Sequence, residues 1–168
     1  MLSSKLVRSI EDHWETISAG VVQAIHRDPK LPHVVSLSDA ELREQSRDLL
    51  SRLGHWLVVS KEEEVAEHFG RIGRQRYEAG IPLCEVVHTY QIVKHHGVQF
   101  VRNQGFHQDL IEMYSEEELE HMVNLFFDAI LYYMIKGYED SATAQPQARE
   151  QHVQSSSPRN ARAMARYM

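Results

Sequence analysis

Cysteine is almost missing from this sequence. Cys84 stands alone, which excludes an intrachain disulfide and any zinc site built on thiolates. A lone thiol fits a reducing compartment. Proline and glycine are also sparse, five and eight in 168 residues, so long regular elements meet few breaks. No apolar run reaches the roughly 20 residues that a bilayer span needs. The most apolar stretch, 122–135, has 14 residues and still includes Asn124 and Asp128. Met1 to Ile10 lacks the continuous apolar stretch of a secretory leader. Basic charge is outweighed, with 18 Lys and Arg against 24 Asp and Glu for a net charge of -6. Nucleic-acid binding needs a basic face and is not expected. No segment alternates with a period of two, so no sheet is expected either. These absences point to a cytoplasmic chain that engages neither membrane nor nucleic acid.

What remains is an ordinary globular composition, 42% hydrophobic and 25% charged, enough to fill one core. The charge is unevenly spread. Residues 1–140 carry -9 and residues 141–168 carry +3. The second segment is rich in Gln, Ala, Ser and Arg and nearly free of large apolar residues. It is expected to be a disordered basic tail behind one domain over 1–140.

Helix starts are legible. Ser38 to Glu41, Ser60 to Glu63 and Ser115 to Glu118 each match a capping box, in which the serine and the glutamate satisfy each other's backbone amides. Gly80-Ile81-Pro82 marks another boundary, since glycine ends one helix and proline opens the next. Between these marks, apolar residues recur every three or four positions. Leu6, Ile10, Trp14, Ile17, Val21 and Ile25 define a first helix; Leu42, Leu49, Leu50, Leu53, Trp56 and Leu57 a second. Val65, Phe69 and Ile72 define a third; Leu83, Val86, Val87, Tyr90, Val93, Phe100 and Val101 a fourth. A fifth is expected from about Glu116 to Tyr138. The fold class is therefore all-α, a bundle of five to six helices.

The fifth helix is apolar on more than one face. Leu119, Val123, Phe126 and Ile130 form one stripe, while Leu125, Leu131, Tyr132 and Ile135 fall outside it. A helix apolar nearly all round needs cover on every side. A homodimer through this helix, with the fourth as neighbour, supplies it. The expected interface residues are Met122, Leu125, Phe126, Ala129, Tyr132 and Tyr133.

Eleven histidines raise the question of metal. Two Glu-x-x-His pairs, Glu85 with His88 and Glu118 with His121, have the spacing of di-iron ligands. Helical counting turns both away from the apolar stripes, His88 by about 150° and His121 by about 170°, so both are expected in solvent. His95 and His96 are adjacent and diverge. His55 and His68 are better placed for burial than for ligation. No nucleophile arrangement or phosphate loop is present, and Gly70 and Gly73 are read as sites of close helix packing. The chain is not expected to be an enzyme, and no metal or cofactor is expected. Arg76 is the anomaly. It falls near the middle of the third helix's apolar face, within about 20° of Val65, where a charge needs a partner or a route to water.

The stretch from Glu67 to Pro82, continuing through Val86-Val87-His88-Thr89-Tyr90-Gln91, resembles the centre of globin-coupled sensor domains. Gly80-Ile81 and Thr89-Tyr90-Gln91 match that pattern, but Arg76 stands where those proteins carry the haem-ligating histidine. With arginine there, a Gly-Ile-Pro-Leu turn and a Val-Val step, the chain resembles more closely the N-terminal domain of RsbR-type RsbT co-antagonists, the stressosome proteins. The resemblance implies a globin-like, non-haem homodimer that regulates bacterial signal transduction through protein partners. Arg76 then marks a vestigial ligand position. A haem-binding gas or redox sensor using His68 or His55 as displaced ligand is the alternative. No output domain follows residue 140, so the chain is expected either to act in trans by docking on a partner or to be a sensory module detached from its effector.

Overall fold

The computed structural model describes the backbone of residues 2–103 and 110–155, and the side chains of 5–103 and 117–144. Among these residues the fold is all-helical. The six α-helices are α1 (Leu2–Asp12), α2 (Trp14–Arg27), α3 (Asp39–Ser51), α4 (Glu62–Glu78), α5 (Leu83–Asn103) and α6 (Leu110–Ser155). A 3-10 turn, Val34–Ser36, lies between α2 and α3, and a π-turn, His55–Val59, lies between α3 and α4.

The first expected helix is two. His13 leaves helical geometry at φ -111° and ψ 19°, and its ring Nδ1 lies 2.8 Å from the Ser9 carbonyl oxygen. A side chain inserted into the helix ladder is a recognised cause of a kink. The apolar stripe survives the kink, with Leu6, Ile10, Ile17, Val21 and Ile25 all buried.

The caps divide. Ser38 and Glu41 form the expected capping box: the Ser38 hydroxyl accepts the Glu41 amide, and the Glu41 carboxylate accepts the Ser38 amide at 2.8 Å. Ser60 does not cap α4. Its hydroxyl donates to the Trp56 carbonyl at 2.8 Å, and Lys61 takes the cap position without a side-chain bond. The π-turn ahead of it draws the serine backwards. Ser115 falls inside α6, which begins at Leu110, and its side chain lies outside the described residues. Gly80, at φ +70°, closes α4 in a Schellman motif: Ile81 N–H donates to the Arg76 carbonyl and Gly80 N–H to that of Tyr77.

The core lies between α6 and the other helices. Leu119, Val123, Phe126, Phe127, Ile130 and Met134 of α6 are buried against Leu6 and Ile10 of α1, Phe69 of α4, and Val93 and Val101 of α5. The α4–α6 pairing is the most extensive in the fold, and there the backbones themselves meet. A Cβ on Gly73 would stand 2.0 Å from the Met134 carbonyl oxygen, and one on Gly137 would stand 2.0 Å from that of Gly70.

The last helix is much longer than expected, 46 residues against an expected end near Tyr138. Residues 141–155 continue it as helix. The rest of the tail, 156–168, lies outside the described residues.

Candidate functional site

A cavity of about 290 Å³ opens between α3 and α4. Leu49, Phe69 and Tyr90 are buried in its floor, with Ile72 beside them; Glu41, Glu44, Gln45 and Asp48 of α3 and Leu37 form its rim; Arg76 completes the lining. A pocket of about 10 Å³ shares Arg76, Tyr90, Gln45 and Leu37 and reaches Val34, Ile81, Val86 and Thr89. The Schellman turn fixes the end of α4, so Arg76 stands one turn before the chain reverses. Its inward placement is what helical counting anticipates.

The lining acids have partners. Glu41 accepts from Ser38 at its amide and hydroxyl. These bonds hold its carboxyl below the usual carboxylate range, and the Arg76 charge adds to the effect. Glu44 pairs with Arg47 at 3.4 Å, and Asp48 with Arg52 at 3.1 Å and His68 at 3.0 Å. Arg76 is different: its guanidinium makes no hydrogen bond or ion pair among the described residues. Among the described residues the Tyr90 hydroxyl has no partner either. Burial pushes this phenol up to about 12, against the pull of the Arg76 charge. Among the described residues no fully buried side-chain nitrogen or oxygen lacks a partner. The unpaired Tyr90 hydroxyl is therefore reached by solvent, and the cavity is the route.

The loop walling the cavity is strapped down by an acid. Glu85 of α5 is 3% exposed. Its carboxylate accepts the His33 amide at 2.9 Å, the Val34 amide at 3.0 Å and the His33 ring Nδ1 at 2.6 Å. Burial alone would raise its pKa, but the bonds from Val34 and His33 outweigh that and leave it lowered. His88 reaches the same loop, with Nε2 2.6 Å from the Asp28 carboxylate. The expectation that Glu85 and His88 face solvent is thus corrected. The stripe on α5 faces the core, but loop 28–37 covers the opposite side, which helical counting does not see. Glu118 and His121 are exposed, as expected.

A family model for the RsbT co-antagonist protein RsbRD N-terminal domain matches residues 7–153. The chain belongs to that family. Comparisons with curated proteins and with solved structures find no match. The match runs past the expected domain end at 140 and follows α6 almost to its last residue.

In this RsbRD N-terminal domain neither His68 nor His55 lines the cavity. His68 has both ring nitrogens engaged, Nε2 on Asp48 at 3.0 Å and Nδ1 on Arg71 at 3.2 Å. Its ring packs on Trp56 and Phe69, and burial lowers its pKa. His55 pairs with Glu64 at 2.8 Å. These residues do not fit a haem seated in the cavity. No group of three or more metal-ligating side chains occurs among the described residues, and no described helix is long and apolar enough to cross a membrane.

The other surface of note is the outer face of α6. Leu125 is 57% exposed and Tyr132 62%. Met122 and Ala129 are half-buried beside them. Tyr133 is half-buried and donates to Glu62 of α4. Phe126 is not on this surface. It is 8% exposed and packs against Trp56 and Phe69, because α6 turns its Leu119–Val123–Phe126–Ile130 stripe inward.

Proposed function

We propose that this RsbRD N-terminal domain is a non-catalytic, non-haem sensory and regulatory module of bacterial stressosome signalling. It works in the cytoplasm as a homodimer with a globin-like topology and acts on a protein partner. Family membership supports the signalling role. The observation that carries the dimer is the outer face of α6, where Leu125 and Tyr132 stand in water seven residues apart on one stripe. A second copy packing there, with Met122, Ala129 and the edge of Tyr133, covers both. Phe126 contributes from beneath, as core.

Light scattering on the purified chain tests this reading. A dimer at micromolar concentration is expected, and Leu125→Glu with Tyr132→Glu converts it to a monomer of unchanged helicity. A wild-type monomer at that concentration sinks the dimer. An absorption spectrum after incubation with haemin tests the non-haem assignment. No Soret band is expected, whereas a stoichiometric band abolished by His68→Ala would make the domain a haem sensor.

A further inference from the structure

We propose that the α3–α4 cavity is a binding site for a small organic monocarboxylate with an apolar body. This deepens the sensory reading by naming the ligand class. It does not depend on the dimer.

Three features of the cavity converge on that chemistry. Its volume, about 290 Å³, lies at the lower end of the range for small-molecule sites. Its floor is apolar, from Leu49, Phe69 and Ile72. Among the described residues, three polar groups of the lining have no side-chain partner, the Arg76 guanidinium, the Tyr90 hydroxyl and the Gln45 amide, and all three border the same space. Guanidinium presents a planar fork that matches a carboxylate with two parallel hydrogen bonds, and a phenol adds a third donor. An apolar body on the floor with a carboxylate at Arg76 gives the guanidinium and the phenol an acceptor at once.

The rim decides against more highly charged anions. Glu41, Glu44 and Asp48 border the same cavity. Their partners satisfy their hydrogen-bonding needs, but their charge persists and repels a dianion such as phosphate. A cationic ligand meets the opposite difficulty, because the group left unpaired is itself cationic. A single negative charge on an apolar frame is the class that fits.

The test is a titration of the isotope-labelled full chain by NMR, with phenylacetate, 2-phenylethanol and inorganic phosphate as probes. Phenylacetate is expected to shift the amides of α3 and α4 around Gln45, Phe69 and Arg76 saturably. The neutral alcohol, with the same ring and no charge, is expected to bind at least about tenfold more weakly, as is phosphate. Arg76→Gln is expected to abolish the preference for the acid over the alcohol, and Tyr90→Phe to weaken the acid several-fold. If Arg76→Gln disturbs the fold, the comparison of acid with alcohol on the wild-type chain still decides the matter. No saturable shift with phenylacetate, equal binding of acid and alcohol, or tighter binding of phosphate would each overturn the proposal. The dimer assay is separate, so a monomer that binds phenylacetate leaves this site standing, and a dimer that does not removes it.

Discussion

Replacing Gly73 by alanine adds one methyl group where α4 meets α6, and the geometry permits an estimate of its effect. The new carbon would sit 2.0 Å from the Met134 carbonyl oxygen, 2.9 Å from the carbonyl carbon and 3.0 Å from the Tyr138 amide nitrogen. A tolerable carbon–oxygen contact is about 3.3 Å, so the helices must part by roughly 1.3 Å at this point. The obstacle is helical backbone, which cannot swing aside as a side chain would. Parting the helices also loosens the buried contacts of Phe69, Phe126, Ile130 and Met134 around the crossing. Overpacking costs about 1–3 kcal/mol and sometimes more, and this case belongs at the upper end. Alanine returns about 1 kcal/mol through its better helix propensity. The net loss is about 2 kcal/mol or more, which lowers the melting temperature by roughly 4–8 °C in a chain of this size. Gly70→Ala is the control. Its Cβ would have neighbours no closer than 3.7 Å, so propensity should dominate and the variant should melt at or slightly above wild type. Gly137→Ala should behave like Gly73→Ala, and the double variant should lose less than the sum, since one separation relieves both clashes. Thermal melts followed by circular dichroism give all four values. If Gly73→Ala melts no lower than Gly70→Ala, the crossing is not as close as described.

Glu85→Gln keeps the side-chain shape but removes the charge that three donors address, and should cost about 2 kcal/mol in urea unfolding. Because the folded pKa of Glu85 lies below the ordinary value of 4.5, its contribution is present above that value and fades as pH falls through the folded pKa. The wild-type advantage over Glu85→Gln should therefore shrink at acid pH, and a constant difference would contradict the strap. The buried pair Ser18 and Ser46, with hydroxyls 2.6 Å apart, should respond asymmetrically. Ser46 also donates to the Arg43 carbonyl at 3.1 Å, so Ser18→Ala leaves it satisfied and should cost about 1 kcal/mol. Ser46→Ala removes the partner given for Ser18 and should cost more, which equilibrium unfolding of the two variants reads directly. Pro146 cannot donate to the Ala142 carbonyl within α6. Pro146→Ala should therefore slow amide exchange in 142–150, and unchanged exchange would mean that the helix is not limited there.

Much of this fold is written in local chemistry. The Ser38–Glu41 box and the Gly80 turn depend on residues three or four apart, and both form as the sequence suggests. The inward pointing of Arg76 follows from periodicity alone. What was hidden depends on distant segments. Ser60 matches the same box as Ser38, but the π-turn redirects its hydroxyl. Glu85 looks solvent-facing on its own helix because the amides of His33 and Val34 that bury it lie about fifty residues away. Tyr90 reads as one more apolar-stripe residue, and only the cavity reveals that its hydroxyl is unpartnered. The helicity of 141–155 leaves no trace in apolar periodicity. Ala142, Ala144, Ala148, Arg149 and Glu150 lack a stripe, yet they are good helix formers.

The close crossing has a mechanical meaning once the length of α6 is considered. Gly137 is where the backbone of this helix meets that of α4, and the 18 residues that follow it to Ser155 rise about 27 Å at 1.5 Å each. The crossing acts as a fulcrum and the remainder of α6 as a lever arm. A tilt of about 5° at Gly73 and Gly137 sweeps the far end through about 2 Å. A small displacement of α4 at the crossing is thereby enlarged at the Ser155 end of the helix.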